Sequence, residues 1–96
     1  MKYKVSEEER VRIQGGIDYL FNDDTASGQV IFTGSSISPY NVKQVLMDNG
    51  FKEVAHDQSG YNNWWYFKHP ELGTAVIIFC AESFELKLHK KMRGKL

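Results

Sequence analysis

Apolar positions recur at helical spacing near the start of the chain and settle into a period of two after Phe51. Ile13, Ile17, Leu20 and Phe21 form the first stripe, and Ser6-Glu7-Glu8-Glu9 opens it as a capping box. The Ser6 hydroxyl is placed to accept the Glu9 amide, and Glu9 to reach back to the Ser6 amide. Three acids in this first turn suit the positive end of the helix dipole. Gly15-Gly16 interrupts the stripe at a cost of about 1 kcal/mol per glycine relative to alanine. Either a neighbour packs closely on the helix there, or the helix breaks into two shorter pieces. Asn22-Asp23-Asp24 and Ser27-Gly28 follow as a polar loop.

The β-branched and aromatic run Gln29 to Thr33 predicts a short strand, and Gly34-Ser35-Ser36 a loop. The second helix carries the clearest signals. Ser38 is a good N-cap, and Pro39 falls at the first helical position, where its missing amide hydrogen does no harm. Val42, Val45 and Leu46 form its apolar face. Asn49-Gly50 supplies a left-handed stop, with Phe51 closing on Leu46 as in a Schellman turn.

Beyond Phe51, Lys52 to Asp57 predicts a strand and Gln58-Ser59-Gly60 a turn. Asn62 to His69 is an aromatic strand ended by Pro70, and Glu71-Leu72-Gly73 turns the chain again. Thr74 to Ala81 is almost wholly apolar, as expected of a central strand covered on both faces. From Ser83 to His89, Phe84, Leu86 and Leu88 alternate with Glu85, Lys87 and His89, which predicts a strand; Phe84, Leu88 and Met92 also fit a helical stripe over 83–92. The resulting order α-β-α-β-β-β-β predicts an α+β two-layer sandwich, with two short helices on a mainly antiparallel sheet. Residues 1–96 read as a single domain with a basic C-terminal tail from about residue 87.

Composition narrows the function classes. Twelve Lys and Arg balance twelve Asp and Glu, so no net field draws the whole molecule to nucleic acid or to a membrane. No apolar run reaches spanning length, and Met1-Lys2-Tyr3-Lys4-Val5 is followed by acids rather than by the apolar stretch of a signal peptide. One cysteine, Cys80, excludes an intramolecular disulfide framework and suits a reducing compartment, so the expected location is cytoplasmic. On a central strand Cys80 is expected as a small buried hydrophobe rather than a nucleophile.

Reaction motifs fail in turn. Gly34-Ser35-Ser36-Ile37-Ser38 lacks the second glycine of a nucleophile elbow, and no glycine-rich stretch ends in Gly-Lys-Ser or Gly-Lys-Thr. His56, His69 and His89 lie far apart without a second cysteine, so no metal site is expected. His56-Asp57 and His69 with Glu71 are the pairs with acid–base potential, but neighbours on a strand point to opposite faces, which separates His56 from Asp57. No catalytic residue and no cofactor is therefore expected.

The aromatic run Tyr61-Asn62-Asn63-Trp64-Trp65-Tyr66-Phe67 is the most unusual stretch, in a chain that is 14% aromatic. Alternation sends Trp64 and Tyr66 to one face of the strand and Trp65 and Phe67 to the other, so both sheet faces become apolar. Two short helices shelter one face more readily than two. An uncovered face bearing Trp64 and Tyr66, with Tyr61 and Tyr40 nearby, has the composition of a binding hot spot or a homodimer interface. The competing expectation is a curled sheet whose last strand and chain ends cover that face. Base-stacking platforms interleave aromatics with Lys and Arg, and between Glu53 and Phe67 there are none. The basic residues Lys87, Lys90, Lys91, Arg93 and Lys95 instead cluster in the last ten positions, suited to phosphates or an acidic partner, or to a solvated terminus.

From Val42 to Phe79 the chain resembles the HicA-like family of small messenger-RNA-cleaving toxins. The resemblance lies in a helix, Asn49-Gly50-Phe51, a strand, a Ser-Gly turn, Tyr66-Phe67-Lys68-His69-Pro70 and a further apolar strand. It implies a double-stranded-RNA-binding type of fold, with a helix followed by a three-stranded antiparallel sheet. In that family a Gly-Ser-His run before the aromatic strand supplies the catalytic histidine; here the corresponding stretch is Asn62-Asn63-Trp64, so no catalytic residue is carried over. The sequence thus points first to a non-catalytic interaction module, such as a regulator or inhibitor of mobile-element type, that binds a protein partner or itself. The alternative is an RNA-binding or RNA-cleaving protein that grips phosphate through the basic tail.

Overall fold

Ser6 and Ser38 start the two helices, each through its side-chain oxygen. Ser6 accepts from the Glu9 amide at 3.2 Å and Ser38 from the Tyr40 amide at 3.0 Å. The computed structural model describes residues 5–22, 28–32 and 37–91, with Lys91 described by its backbone alone. Its elements are α1 (Glu7–Phe21), β1 (Gly28–Phe32), α2 (Pro39–Asp48), β2 (Lys52–Ser59), β3 (Asn62–His69), β4 (Gly73–Cys80) and β5 (Glu85–Lys91). This is the expected α+β order. The loops at Asp23-Asp24 and Gly34-Ser35-Ser36, and the tail residues Arg93 and Lys95, lie outside the described residues.

α1 is one continuous helix through Gly15-Gly16, and close packing accounts for Gly16 alone. A Cβ on Gly16 would lie 3.0 Å from the Phe32 ring and 3.3 Å from Val30, whereas one on Gly15 would meet nothing within 4 Å. α1 therefore approaches β1 along Gly16. The capping box is half as expected: the Glu9 carboxylate is used across to α2, accepting from the side-chain Nδ2 of Asn41 at 3.2 and 3.3 Å. Beside it, Arg10 pairs with Asp48 at 2.8 Å, and Gln14 and Asn49 exchange two amide hydrogen bonds of 2.9 and 2.8 Å.

α2 ends as a complete Schellman motif. The Phe51 amide donates to the Leu46 carbonyl at 3.1 Å and the Gly50 amide to that of Met47 at 3.0 Å. Gly50 takes φ +95°, which a side chain resists. Leu46 and Phe51 both lie in the buried core.

The five strands form one sheet in the order β1-β5-β4-β3-β2, with every neighbouring pair antiparallel. β2 to β5 run as a meander, and β1 adds beside β5. Ser59 pairs with Asn62, leaving Gly60 and Tyr61 as the connection; Gly60 has the φ of +60° that a type II′ hairpin asks of its first central residue. Both helices lie on one face. Ile13, Ile17, Leu20, Val42, Val45 and Leu46 meet Phe32, Trp65, Phe67, Ala75, Ile77, Leu86 and Leu88 in one core.

Three expectations need correction. The basic run at Lys87 to Lys91 is not a tail: alternation buries Leu86 and Leu88, which draws the segment into the sheet between β1 and β4. This settles the strand-or-helix ambiguity for residues 85–91. Phe84 does not join the Leu86–Leu88 face; it stands in the turn before β5, in the left-handed region at φ 55° and 74% exposed. β4 is central, but the helices cover only one of its faces.

Candidate functional site

Register assigns each strand residue to a face. Glu53 pairs with Phe67 and reaches Lys43 of α2 at 2.8 Å, so it lies on the helix side; Lys52, one position earlier, lies on the other. The open face then consists of cross-strand rows. Lys52, Lys68, Thr74 and Lys91 form one row; Ala55, Tyr66, Val76, His89 and Gln29 the next; Asp57, Trp64, Ile78, Lys87 and Ile31 the third; Ser59, Asn62, Cys80 and Glu85 the last. Both helices pack on the opposite face of the sheet.

The middle of this face is apolar. Trp64, Tyr66 and Ile78 are half-buried, Ile31 is exposed, and Val76 is buried beneath its neighbours. The polypeptide does not enclose the two aromatic rings, which is the condition a contact surface requires. The charges divide along the strands. Lys52 and Lys68 face each other across β2 and β3 at one end, while Asp57 and Glu85 lie toward the other, where Lys87 pairs with Glu85 at 3.7 Å. Among the described residues Lys52, Lys68 and Asp57 make no ion pair.

The other sequence-predicted residues are scattered. Tyr61 sits at the tip of the β2–β3 hairpin, 63% exposed, beside the Phe84 turn, since its carbonyl accepts from the Ala81 amide at 2.8 Å. Tyr40 lies on α2, in the helix layer. It is 61% exposed and edge-on to Trp65 at 6.0 Å, so it does not share the surface of Trp64 and Tyr66. Lys87 lies on the open face. Lys90 does not belong with it as a phosphate contact: it is buried on the helix side, with its ammonium 5.6 Å from the Phe21 ring centre, because residues three apart on a strand face opposite ways. The Lys91 side chain and Arg93 lie outside the described residues.

The acid–base pairs separate as alternation requires. His56 stacks on Trp65 at 4.9 Å, on the helix side, and its Nε2 lies 3.2 Å from the side-chain Oδ1 of Asn63; Asp57 is on the open face. His69 Nδ1 accepts from the amides of Glu71 and Leu72 at 3.0 and 3.1 Å, so it caps a turn. Cys80 is half-buried at the end of β4 on the open face, not fully buried as expected; hydrogen bonding from the Ser83 side chain lowers its thiol pKa. Among the described residues no group of His, Cys, Asp and Glu is arranged to hold a metal, and no helix is long and apolar enough to cross a membrane.

Sequence reasoning missed Lys52, Lys68 and Ile31. Lys68 was within reach, since it is an even number of residues from Trp64 and Tyr66. Lys52 was hidden by the register shift between Glu53 and Ala55, which resets the faces of β2. No family model, no curated protein and no solved structure matches the chain.

Proposed function

We propose that this protein is a non-catalytic interaction module of the regulator or inhibitor kind, and that the open sheet face is its contact surface for a protein partner or a second copy. The observation that carries the reading is the one-sided covering of the sheet: both helices pack on the Trp65–Phe67 face, and the Trp64–Tyr66 face is left with an apolar centre. Aromatic anchors surrounded by aliphatic side chains and rimmed by charge fit a protein contact, where a few such residues dominate the binding energy. The double substitution Trp64→Ala and Tyr66→Ala tests it. Partner binding or self-association falls while the circular dichroism spectrum and the cooperative melt persist; an unfolded double variant ends the reading.

A second reading has one observation in its favour. Lys52, Lys68 and Lys87 share a face with Trp64 and Tyr66, an arrangement that also suits stacked bases and nearby phosphates. RNA affinity would then fall steeply with salt and would drop when these lysines are neutralised.

A further inference from the structure

Positive charge on the open face gathers at one end. Lys52 and Lys68 are direct cross-strand partners, and Thr74 and then Lys91 hold the next two positions of their row. The row crosses four strands, about 14 Å at the usual strand spacing, and contains no acid. The Lys52 and Lys68 side chains are exposed and take part in no ion pair among the described residues. Like charges set directly opposite each other on an antiparallel pair destabilise it, so the free chain carries a repulsion here that a bound anion relieves. The acid Asp57 stands two rows away, about 14 Å along the strands, and Glu85 is taken up by Lys87 at 3.7 Å. Between the lysine row and that acidic end lie Tyr66 and Val76, with Trp64 and Ile78 beside them.

Resting on the contact surface proposed above, we infer that its occupant is an acidic, amphipathic segment of another protein. Its carboxylates lie over Lys52 and Lys68, and its aliphatic or aromatic side chains rest on Tyr66, Trp64 and Ile78. Charge complementarity sets its direction, since a carboxylate is attracted at the lysine row and repelled beside Asp57. Two features favour carboxylates on a peptide over the phosphates of a nucleic acid. Asp57 is the direct cross-strand partner of Trp64, so a base stacked on this indole brings its phosphates beside a carboxylate. On their other side Trp64 and Tyr66 adjoin Ile78 and Val76, which offer a base edge no hydrogen bond but match the apolar centre of a protein contact.

Selection from a phage-displayed library of random peptides on the full-length chain tests this. Fluorescence anisotropy then measures the enriched peptides, and circular dichroism controls for folding. Peptides enriched on the wild type carry Asp or Glu next to Leu, Ile, Phe or Trp. Their dissociation constants rise roughly tenfold on the double substitution Lys52→Gln and Lys68→Gln, and also rise with added salt. Lys68→Gln alone raises the melting temperature of the free chain by a few degrees while weakening the peptide, because it removes the cross-strand repulsion. A lysine that merely supports the fold moves stability and binding the same way, and that outcome overturns the inference. Enriched peptides without an acidic bias, or indifferent to the lysine substitutions, also overturn it; the contact surface survives that result where Trp64→Ala and Tyr66→Ala still abolish their binding. Peptides that bind the folded Trp64→Ala and Tyr66→Ala variant as tightly as the wild type overturn the contact surface itself. A selection that enriches nothing, beside a single-stranded RNA oligonucleotide that binds and is lost on the lysine substitutions, overturns the inference and gives the face to RNA.

Discussion

Gly16 approaches Phe32 so closely that a methyl group on it would stand 3.0 Å from the ring tip. Its neighbour Gly15 faces open space. The two glycines carry the same helical penalty but different packing, so they should respond differently to alanine. Gly15→Ala raises stability by about 1 kcal/mol through helix propensity alone. Gly16→Ala forfeits that gain, because the Phe32 ring is buried and must shift to admit the methyl group. Urea denaturation of the two variants beside the wild type measures the difference; equal effects would mean that β1 does not hold α1 at Gly16.

His69 and Gly50 make a second coupled site. The His69 ring takes two turn amides on Nδ1 and lies 5.0 Å from the Phe51 ring, while a Cβ on Gly50 would meet its Nε2 at 3.0 Å. His69→Ala strips both amides of their acceptor and costs roughly 1–3 kcal/mol. Gly50→Ala costs about 1 kcal/mol or more, since φ +95° is strained for any side chain. The double variant loses less than the sum, because displacing His69 is part of the Gly50→Ala penalty. Thermal melts of the three variants provide the cycle.

The contact between the helices has an acid-sensitive member. Hydrogen bonding from Arg10, and then from Gln44, holds the Asp48 carboxyl below its usual pKa. A carboxyl depressed by folding stabilises the native state above its unfolded pKa, and that contribution disappears as pH falls through the lower folded value. The pair is exposed enough for solvent to screen it, so the effect is under about 1 kcal/mol. Urea midpoints taken from about pH 6 down to about pH 3 should show a steeper acid loss in the wild type than in Asp48→Asn, and added salt should narrow the gap.

These sites also mark how far the sequence was legible. Caps and periodicity gave both helices, because Ser6, Ser38, Pro39 and Gly50 act on the backbone beside them. The alternation of β3 correctly separated Trp64 and Tyr66 from Trp65 and Phe67. Facts that depend on chain crossings were not readable in that way. The place of β5 beside β1 took Lys87 and Lys90 out of a supposed tail and turned them to opposite faces, and the irregularity between Glu53 and Ala55 decided which β2 residues accompany Trp64. Residue type alone groups Tyr40 with the sheet aromatics, yet its helix sets it in the other layer.

β3 offers the sharpest test, because four consecutive aromatics alternate between two environments. Phe67 is wholly buried and Trp65 nearly so, under the helices, so Phe67→Ala and Trp65→Ala each cost roughly 3–5 kcal/mol and threaten folding. Trp64 and Tyr66 are half-buried on the uncovered side, and their truncation removes less apolar contact from the isolated chain. Trp64→Ala and Tyr66→Ala should therefore melt at temperatures well above those of Trp65→Ala and Phe67→Ala, while showing the larger loss in whatever association the protein makes. An alternating profile of stability, opposed by an alternating profile of binding, follows only if one face of this strand is core and the other is contact surface. If all four substitutions destabilise equally, the open face is held as part of the fold and the interaction reading fails with it.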